Sequence, residues 1–127
     1  MPPQLTIISP EDLANEFRLK TKRILVFDVR SYDYQTARLP HSVNIPIDDF
    51  VDRVGSLVDI VTGVDLVVFH CHYCQERGPK AAKLFLQHFQ RKFPRSSLRI
   101  AILEGGFKCW HNAFSQDEDL CLPVITD

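Results

Sequence analysis

Short apolar runs along the chain alternate with longer segments whose apolar residues recur at a helical period. Gln4 to Ile8 reads as a strand. Ser9-Pro10-Glu11-Asp12 then supplies a capping hydroxyl, a proline at the first helical position and acidic residues in the first turn, which predicts a helix to about Leu19. Ile24-Leu25-Val26-Phe27, closed by Asp28, is an unbroken apolar run, the pattern of a central parallel strand buried on both faces. A polar loop from Val29 to Pro40 leads to a short strand, Ser42 to Ile45, that ends at Pro46. Phe50, Val51, Val54, Leu57 and Val58 predict a helix from about Asp48 to Val61, weakened by Gly55.

The second half repeats the alternation. Leu66 to Phe69 is the strongest strand, and Ala81, Ala82, Leu84, Phe85 and Phe89 mark the core face of a helix over Lys80 to Phe89. Leu98 to Leu103 is the last strand, after which Glu104-Gly105-Gly106 turns the chain into a short helix from Phe107 to Phe114. Strands and helices in this order predict a small three-layer α/β domain with a mostly parallel sheet and right-handed crossovers. Ligands bind such sheets beyond the strand C-termini. Asp28, Cys71 and Gly105 all fall at that edge, so three strands would direct their ends to one site.

Composition narrows this further. The 127 residues, 45% hydrophobic and 24% charged, suit one domain over 1–127 with a core that needs no disulfide or metal staple. A net charge of −1 gives no support for nucleic-acid binding, and Arg91, Lys92, Arg95 and Arg99 read as a solvated helix end. The chain has no apolar stretch near the ~20 residues of a membrane span, and Met1-Pro2-Pro3-Gln4 lacks the regions of a signal peptide. The expected setting is soluble, in the cytoplasm or nucleus; the sequence leaves the oligomeric state open.

The chemistry concentrates in His70-Cys71-His72-Tyr73-Cys74-Gln75-Glu76-Arg77-Gly78-Pro79, between the buried strand and the following helix. A cysteine and an arginine at the two ends of a strand-to-helix loop are what a thiolate needs to attack a tetrahedral oxyanion. Loop amides and the helix dipole would hold the anion, and Arg77 would fork two of its oxygens. The same features would lower the Cys71 pKa from about 8.5 into the range of roughly 3.5–7.5 found for activated cysteines. The oxyanion-binding set is then the loop His72, Tyr73, Cys74, Gln75, Glu76 and Arg77, acting where charge develops. Tyr32, Tyr34 and Tyr73 either line the pocket mouth or face solvent. His70, His72, Cys71, Cys74, Cys109, His111 and Cys121 could also be counted toward zinc, but the Cys109-x-His111 spacing is unusual and zinc would quench the nucleophile, so no metal is expected.

His70-Cys71-(five residues)-Arg77-Gly78-Pro79-Lys80, with Asp28-Val29-Arg30 upstream and Glu104-Gly105-Gly106-Phe107 downstream, resembles the rhodanese-fold phosphatases of the Cdc25 group and the fungal and protozoan arsenate reductases. The resemblance spans nearly the whole chain. It implies a rhodanese-like domain with a five-stranded sheet flanked by helices, and a protein tyrosine or dual-specificity phosphatase working through a phosphocysteine on Cys71. The alternative it implies is an arsenate reductase using the same cysteine, with glutathione and glutaredoxin as reductants and otherwise no cofactor. The substrate is accordingly a phosphorylated protein or a small phosphate or arsenate oxyanion. Sulfurtransferases of this fold share the Leu39-Pro40-His41 to Asn44-Ile45-Pro46 segment, yet their active loop is typically one residue shorter, so thiosulfate sulfur transfer is disfavoured. A non-catalytic phospho-binding module would keep Arg77 without needing Cys71.

By the same resemblance Glu76 is the candidate general acid, in place of the Trp-Pro-Asp loop that this chain lacks; a monoprotonated substrate could supply the proton instead. His70 either bonds loop carbonyls or is a satisfied core histidine, or both. Asp28 and Arg30 match the start of the family's first conserved motif, where they would brace the loop, with an ion pair as one way of doing so; direct proton transfer by Asp28 is the alternative. Cys74 stands where the Cdc25 group has serine; it is either an adventitious small residue or a redox guard that traps oxidised Cys71 as a disulfide.

Overall fold

The computed structural model describes residues 4–34, 37–73 and 75–124. The expected strands and helices form in the expected order, with two short strands, the third and the last, added: β1 (Gln4–Ile8), α1 (Pro10–Leu19), β2 (Ile24–Asp28), β3 (Ala37–Arg38), β4 (Ser42–Asn44), α2 (Ile47–Leu57), β5 (Leu66–His70), α3 (Arg77–Lys92), β6 (Arg99–Leu103), α4 (Gly106–Phe114) and β7 (Leu122–Pro123). Five of the strands make one parallel sheet in the order β1-β6-β5-β2-β4. The central strand β5 is buried at every position, as its unbroken apolar run requires.

Alternation along the strands sends side chains to two separate cores. Phe27, Val67, Phe69 and Ile100 face α2 and α3, where Phe50, Val54, Phe85 and Phe89 complete the packing. Phe27 lies 5.2 to 5.8 Å, ring centre to ring centre, from Phe50, Phe69 and Phe85, so this layer is built largely of aromatic contacts. Val26, Val68 and Ala101 face α1 and α4, where Leu13, Ala14, Phe107 and Trp110 cover them. Asp28 and His70 share the parity of Val26 and Val68 and are register partners, so both enter the second core at its edge.

The structure departs from the periodic pattern at several points. The third helix begins at Arg77 rather than Lys80: Gly78-Pro79 lies inside its first turn, where a missing proline N–H costs nothing. The second ends at Leu57 rather than Val61; single turns, including Ile60 N–H to Leu57 O and Val64 N–H to Val61 O, carry the chain onward to β5. β3 and β7 pair as a two-residue antiparallel ribbon, too short to leave a periodic signal. Arg91 and Lys92 end α3, and Lys92 pairs with Asp59 at the surface. No helix among the described residues is long and apolar enough to cross a membrane.

Candidate active site

The site forms at the C-terminal edge of the sheet, where β5 ends at His70 and α3 begins at Arg77. Cys71 is the first residue past the strand and is 3% exposed, packed at the end of the phenylalanine core. α4 fastens the loop from below: Phe107 N–H donates to Cys71 O and Lys108 N–H to His72 O, each at 2.9 Å. That contact needs the tight double-glycine turn. Gly105 and Gly106 have φ of 75° and 63°, and a Cβ on Gly105 would lie 2.2 Å from Cys109 Sγ.

Beneath the loop sits a buried polar cluster. Arg30 Nε bonds Asp28 Oδ1 and Oδ2 at 2.9 and 3.0 Å, and Nη2 bonds Asp28 Oδ2 at 2.6 Å, with both residues almost fully enclosed. The Arg30 guanidinium also lies 4.0 Å from the centre of the Phe107 ring and donates to Ala37 O. Asn44 Nδ2 donates to Asp28 O and Arg30 O, so β4 pins the strand end that carries the pair. A buried ion pair is tolerated best when further hydrogen bonds support it, and Arg30 N–H to Asp28 Oδ1 and Nη2 to Ala37 O do so here.

His70 is fully buried, and its Nδ1 lies 3.0 Å from Cys71 O. A carbonyl only accepts, so Nδ1 carries the proton and Nε2, 3.7 Å from Asp28 Oδ2, is the bare nitrogen of a neutral ring. Burial lowers the His70 pKa, outweighing the opposing pull of Asp28. The native pKa thus lies below the unfolded value of about 6.5, so the unfolded chain gains a proton that the native ring resists as pH falls. Stability is expected to be complete above about pH 6.5 and to fall below it by up to about 1.4 kcal/mol per pH unit. Urea unfolding at pH 7.5 and 5.5 checks this, and His70→Asn should remove that component of the pH dependence.

The loop opens to solvent in a cavity of about 150 Å³ lined by Cys71, Tyr73, Gln75, Glu76 and Arg77. Pockets that enclose a whole drug-sized molecule start near roughly 300 Å³, so this one fits a tetrahedral oxyanion group and leaves the rest of a larger molecule outside. Glu76 is exposed and holds the N-cap position of α3, next to Arg77. His72 packs edge-on against Tyr73, ring centres 4.5 Å apart, and Tyr73 is also within 5.3 Å of Lys108 Nζ. Tyr34 lies over Arg30 at 5.0 Å, whereas Tyr32 is strongly exposed. Cys74 and its redox role lie outside the described residues. Among those described, no group of three His, Cys, Asp or Glu residues is placed to hold a metal ion.

Two residues of this site have no role legible in the sequence. Asn44 is one, marked only as part of a segment shared with sulfurtransferases. The other is Asp33, in the loop after β2: its Oδ1 and Oδ2 accept from Arg77 Nη1 and Nη2 at 2.9 and 2.6 Å. The hydrogen bonds from Arg77 hold the Asp33 pKa down at about 2, and Asp33 in return raises that of Arg77. An acidic residue in the loop beyond a central strand was the only available signal, and such residues are common in loops.

A rhodanese-like domain profile matches residues 9–113. The chain belongs to the rhodanese-like domain family. This rhodanese-like domain is 30% identical to the dual specificity phosphatase ibp1 of Schizosaccharomyces pombe, over 91% of its own length and 95% of that protein's. It is 33% identical to arsenate reductase 2.1 of Oryza sativa subsp. japonica over 69% of its length, and the match spans 56% of that protein. In fold it is similar to the As-Sb reductase of Leishmania major, with a TM-score of 0.83 at 23% identity, covering 97% of this chain and 88% of that one.

Proposed function

We propose that this rhodanese-like domain is a cysteine-dependent phosphatase of the protein tyrosine or dual-specificity kind. The observation that carries the reading is the small cavity shared by Cys71 and Arg77, one residue past a buried strand and at the first position of a helix. The similarity to the dual specificity phosphatase ibp1 over almost both full lengths supports it.

The Cys71 thiolate attacks phosphorus in line with the ester oxygen; the S–P bond forms as the P–O bond breaks, and a phosphocysteine results. Arg77 and the amides of residues 72–77 take up the charge on the equatorial oxygens. Glu76, at the lip of the cavity, delivers a proton to the departing oxygen and then takes one from the water that hydrolyses the phosphocysteine. Asp28, Arg30 and His70 touch no substrate in this scheme: they fix the strand ends and the Cys71 carbonyl, which keeps the loop amides in place. The substrate is a phosphorylated protein or a small phosphate ester, and a reduced cysteine nucleophile suits the cytoplasm or nucleus.

A second reading has its own support, the similarity to arsenate reductase 2.1 and the shared fold of the As-Sb reductase. Arsenate matches phosphate in size and charge, so Cys71 would attack it in the same cavity, and glutathione with glutaredoxin would supply the two electrons that reduce arsenic. Hydrolysis of an aryl phosphate and glutathione-dependent reduction of arsenate, assayed side by side, separate the two. The expected result is aryl phosphate hydrolysis that proceeds without glutathione. Arsenate reduction with no phosphate ester hydrolysis would transfer the function to the second reading.

A further inference from the structure

Arg77, the clamp for the oxyanion, is engaged in the structure by a carboxylate of the chain itself. Asp33 reaches it from the loop between β2 and β3, 44 residues away in sequence, and takes both terminal nitrogens of the guanidinium with both of its oxygens. Two parallel N–H to O contacts are the pattern by which a guanidinium grips two oxygens of a phosphoryl or arsenyl group. The loop that carries Asp33 is shaped to present it: Ser31 N–H donates to Asp33 Oδ1 at 2.9 Å, and Tyr34 N–H closes a turn onto Ser31 O. At the base of that loop the buried Arg30 is held by Asp28 and Asn44, so the point from which Asp33 projects is fixed.

We propose that Asp33 is a positioning residue whose carboxylate an incoming oxyanion must replace on Arg77, and which returns to Arg77 as the product anion leaves. This deepens the phosphatase reading and rests on it for the word product. The exchange is feasible because the pair is not sealed: the Arg77 and Asp33 side chains are 29% and 21% exposed, unlike the enclosed Asp28–Arg30 pair. An oxyanion that takes the Nη1–Nη2 edge must displace Asp33, because one edge of a guanidinium cannot serve two bidentate partners. A carboxylate left beside a bound dianion would also repel it across a few ångströms. With its pKa near 2, Asp33 carries its negative charge throughout the neutral range, so the competition operates at every pH of interest.

The competing arrangement is that Asp33 stays on Arg77 and aims its remaining N–H groups at the anion. The two arrangements predict opposite signs. If Asp33 competes, the apparent affinity for an oxyanion is its intrinsic affinity reduced by the fraction of molecules whose Arg77 is released. Removing the charge then tightens binding; if Asp33 aims Arg77, removing it loosens binding.

The test is Asp33→Asn, which keeps an oxygen for Ser31 N–H, with Asp33→Ala as a second route and Asp33→Glu as the charge-retaining control. Inorganic phosphate is titrated calorimetrically into each protein, and kcat and KM are measured with an aryl phosphate. The expected result, for a partly exposed bidentate pair, is about fivefold tighter phosphate binding and a matching fall in KM for Asn and Ala, with kcat changed far less. Asp33→Glu should bind phosphate more weakly than either. Phosphate binding that weakens, or stays within about twofold, in both neutral variants overturns the proposal. Because the titration needs no turnover, absence of Cys71-dependent hydrolysis in the parent protein would defeat the phosphatase reading while leaving the exchange to be judged on phosphate alone.

Discussion

Replacing Cys71 with serine is expected to lower aryl phosphate hydrolysis by at least about a thousandfold while phosphate binding stays within about threefold of the parent. A serine hydroxyl is a competent nucleophile only beside a base that can take its proton, and the buried His70 is not such a base. His70 is neutral, gives its Nδ1 proton to the Cys71 carbonyl and turns Nε2 toward Asp28. A thiol ionises far more readily than a hydroxyl, so its attack needs no such base. The anion site is left intact by the exchange: Arg77 is untouched, and the Cys71 carbonyl remains tied to Phe107 N–H. Steady-state kinetics together with phosphate titration of the variant separate the two effects. Loss of both would mean that the loop had collapsed.

Arg77→Lys is expected to lower kcat/KM by a factor on the order of a hundred to a thousand, with unfolding free energy changed by less than about 1 kcal/mol. The ammonium keeps the charge but offers a single point, whereas the reacting group presents oxygens spread in a plane. The loss should therefore fall on kcat as well as KM, since the fork matters most where charge gathers in the transition state. Stability is spared because the Arg77–Asp33 pair is partly open to solvent, and such pairs contribute little. Urea unfolding alongside kinetics checks both halves. A variant that loses only substrate affinity would show that Arg77 binds the ground state and transition state equally.

The two variants at Arg77 and Asp33 are informative as a pair. One removes the clamp and the other removes its occupant, so activity at low substrate should move in opposite directions. No change at the buried Asp28–Arg30 pair could produce that pattern, because those side chains act through the strand ends.

The sheet and its order of elements were legible because burial imposes simple patterns. Ile24 to Phe27 and Leu66 to Phe69 can be apolar throughout only if both faces are covered, and a parallel sheet between helices covers them. The placing of Cys71 and Arg77 at one cavity was legible because both lie in one stretch of chain, where spacing alone sets their separation. Helix α3 beginning at Arg77 was harder to read, since glycine commonly follows a helix end while proline is favoured in a first turn, so Gly78-Pro79 gives mixed signals. Asp33 was not legible at all. Its meeting with Arg77 depends on the path of an irregular loop, which no periodicity encodes, and on the placing of β2 beside β5. Asn44 is similar: a polar residue at a strand end acquires its purpose only when that strand pairs with β2. The ribbon of β3 and β7 joins segments more than eighty residues apart through two residues each, well below what a hydrophobic pattern can signal.

The proposed oxyanion chemistry rests on three physical arrangements together: a thiol at the end of a buried strand, a guanidinium at the start of the next helix, and a polar cluster beneath that ties down the strand ends and the Cys71 carbonyl. The central claim is that phosphorus passes through Cys71. Acid quenching of the enzyme during turnover of an aryl phosphate, followed by peptide mass spectrometry, tests it most directly. Phosphate is expected on the peptide that carries Cys71 and on no other. Hydrolysis at full rate with phosphate found elsewhere, or with Cys71 blocked by alkylation, would contradict it.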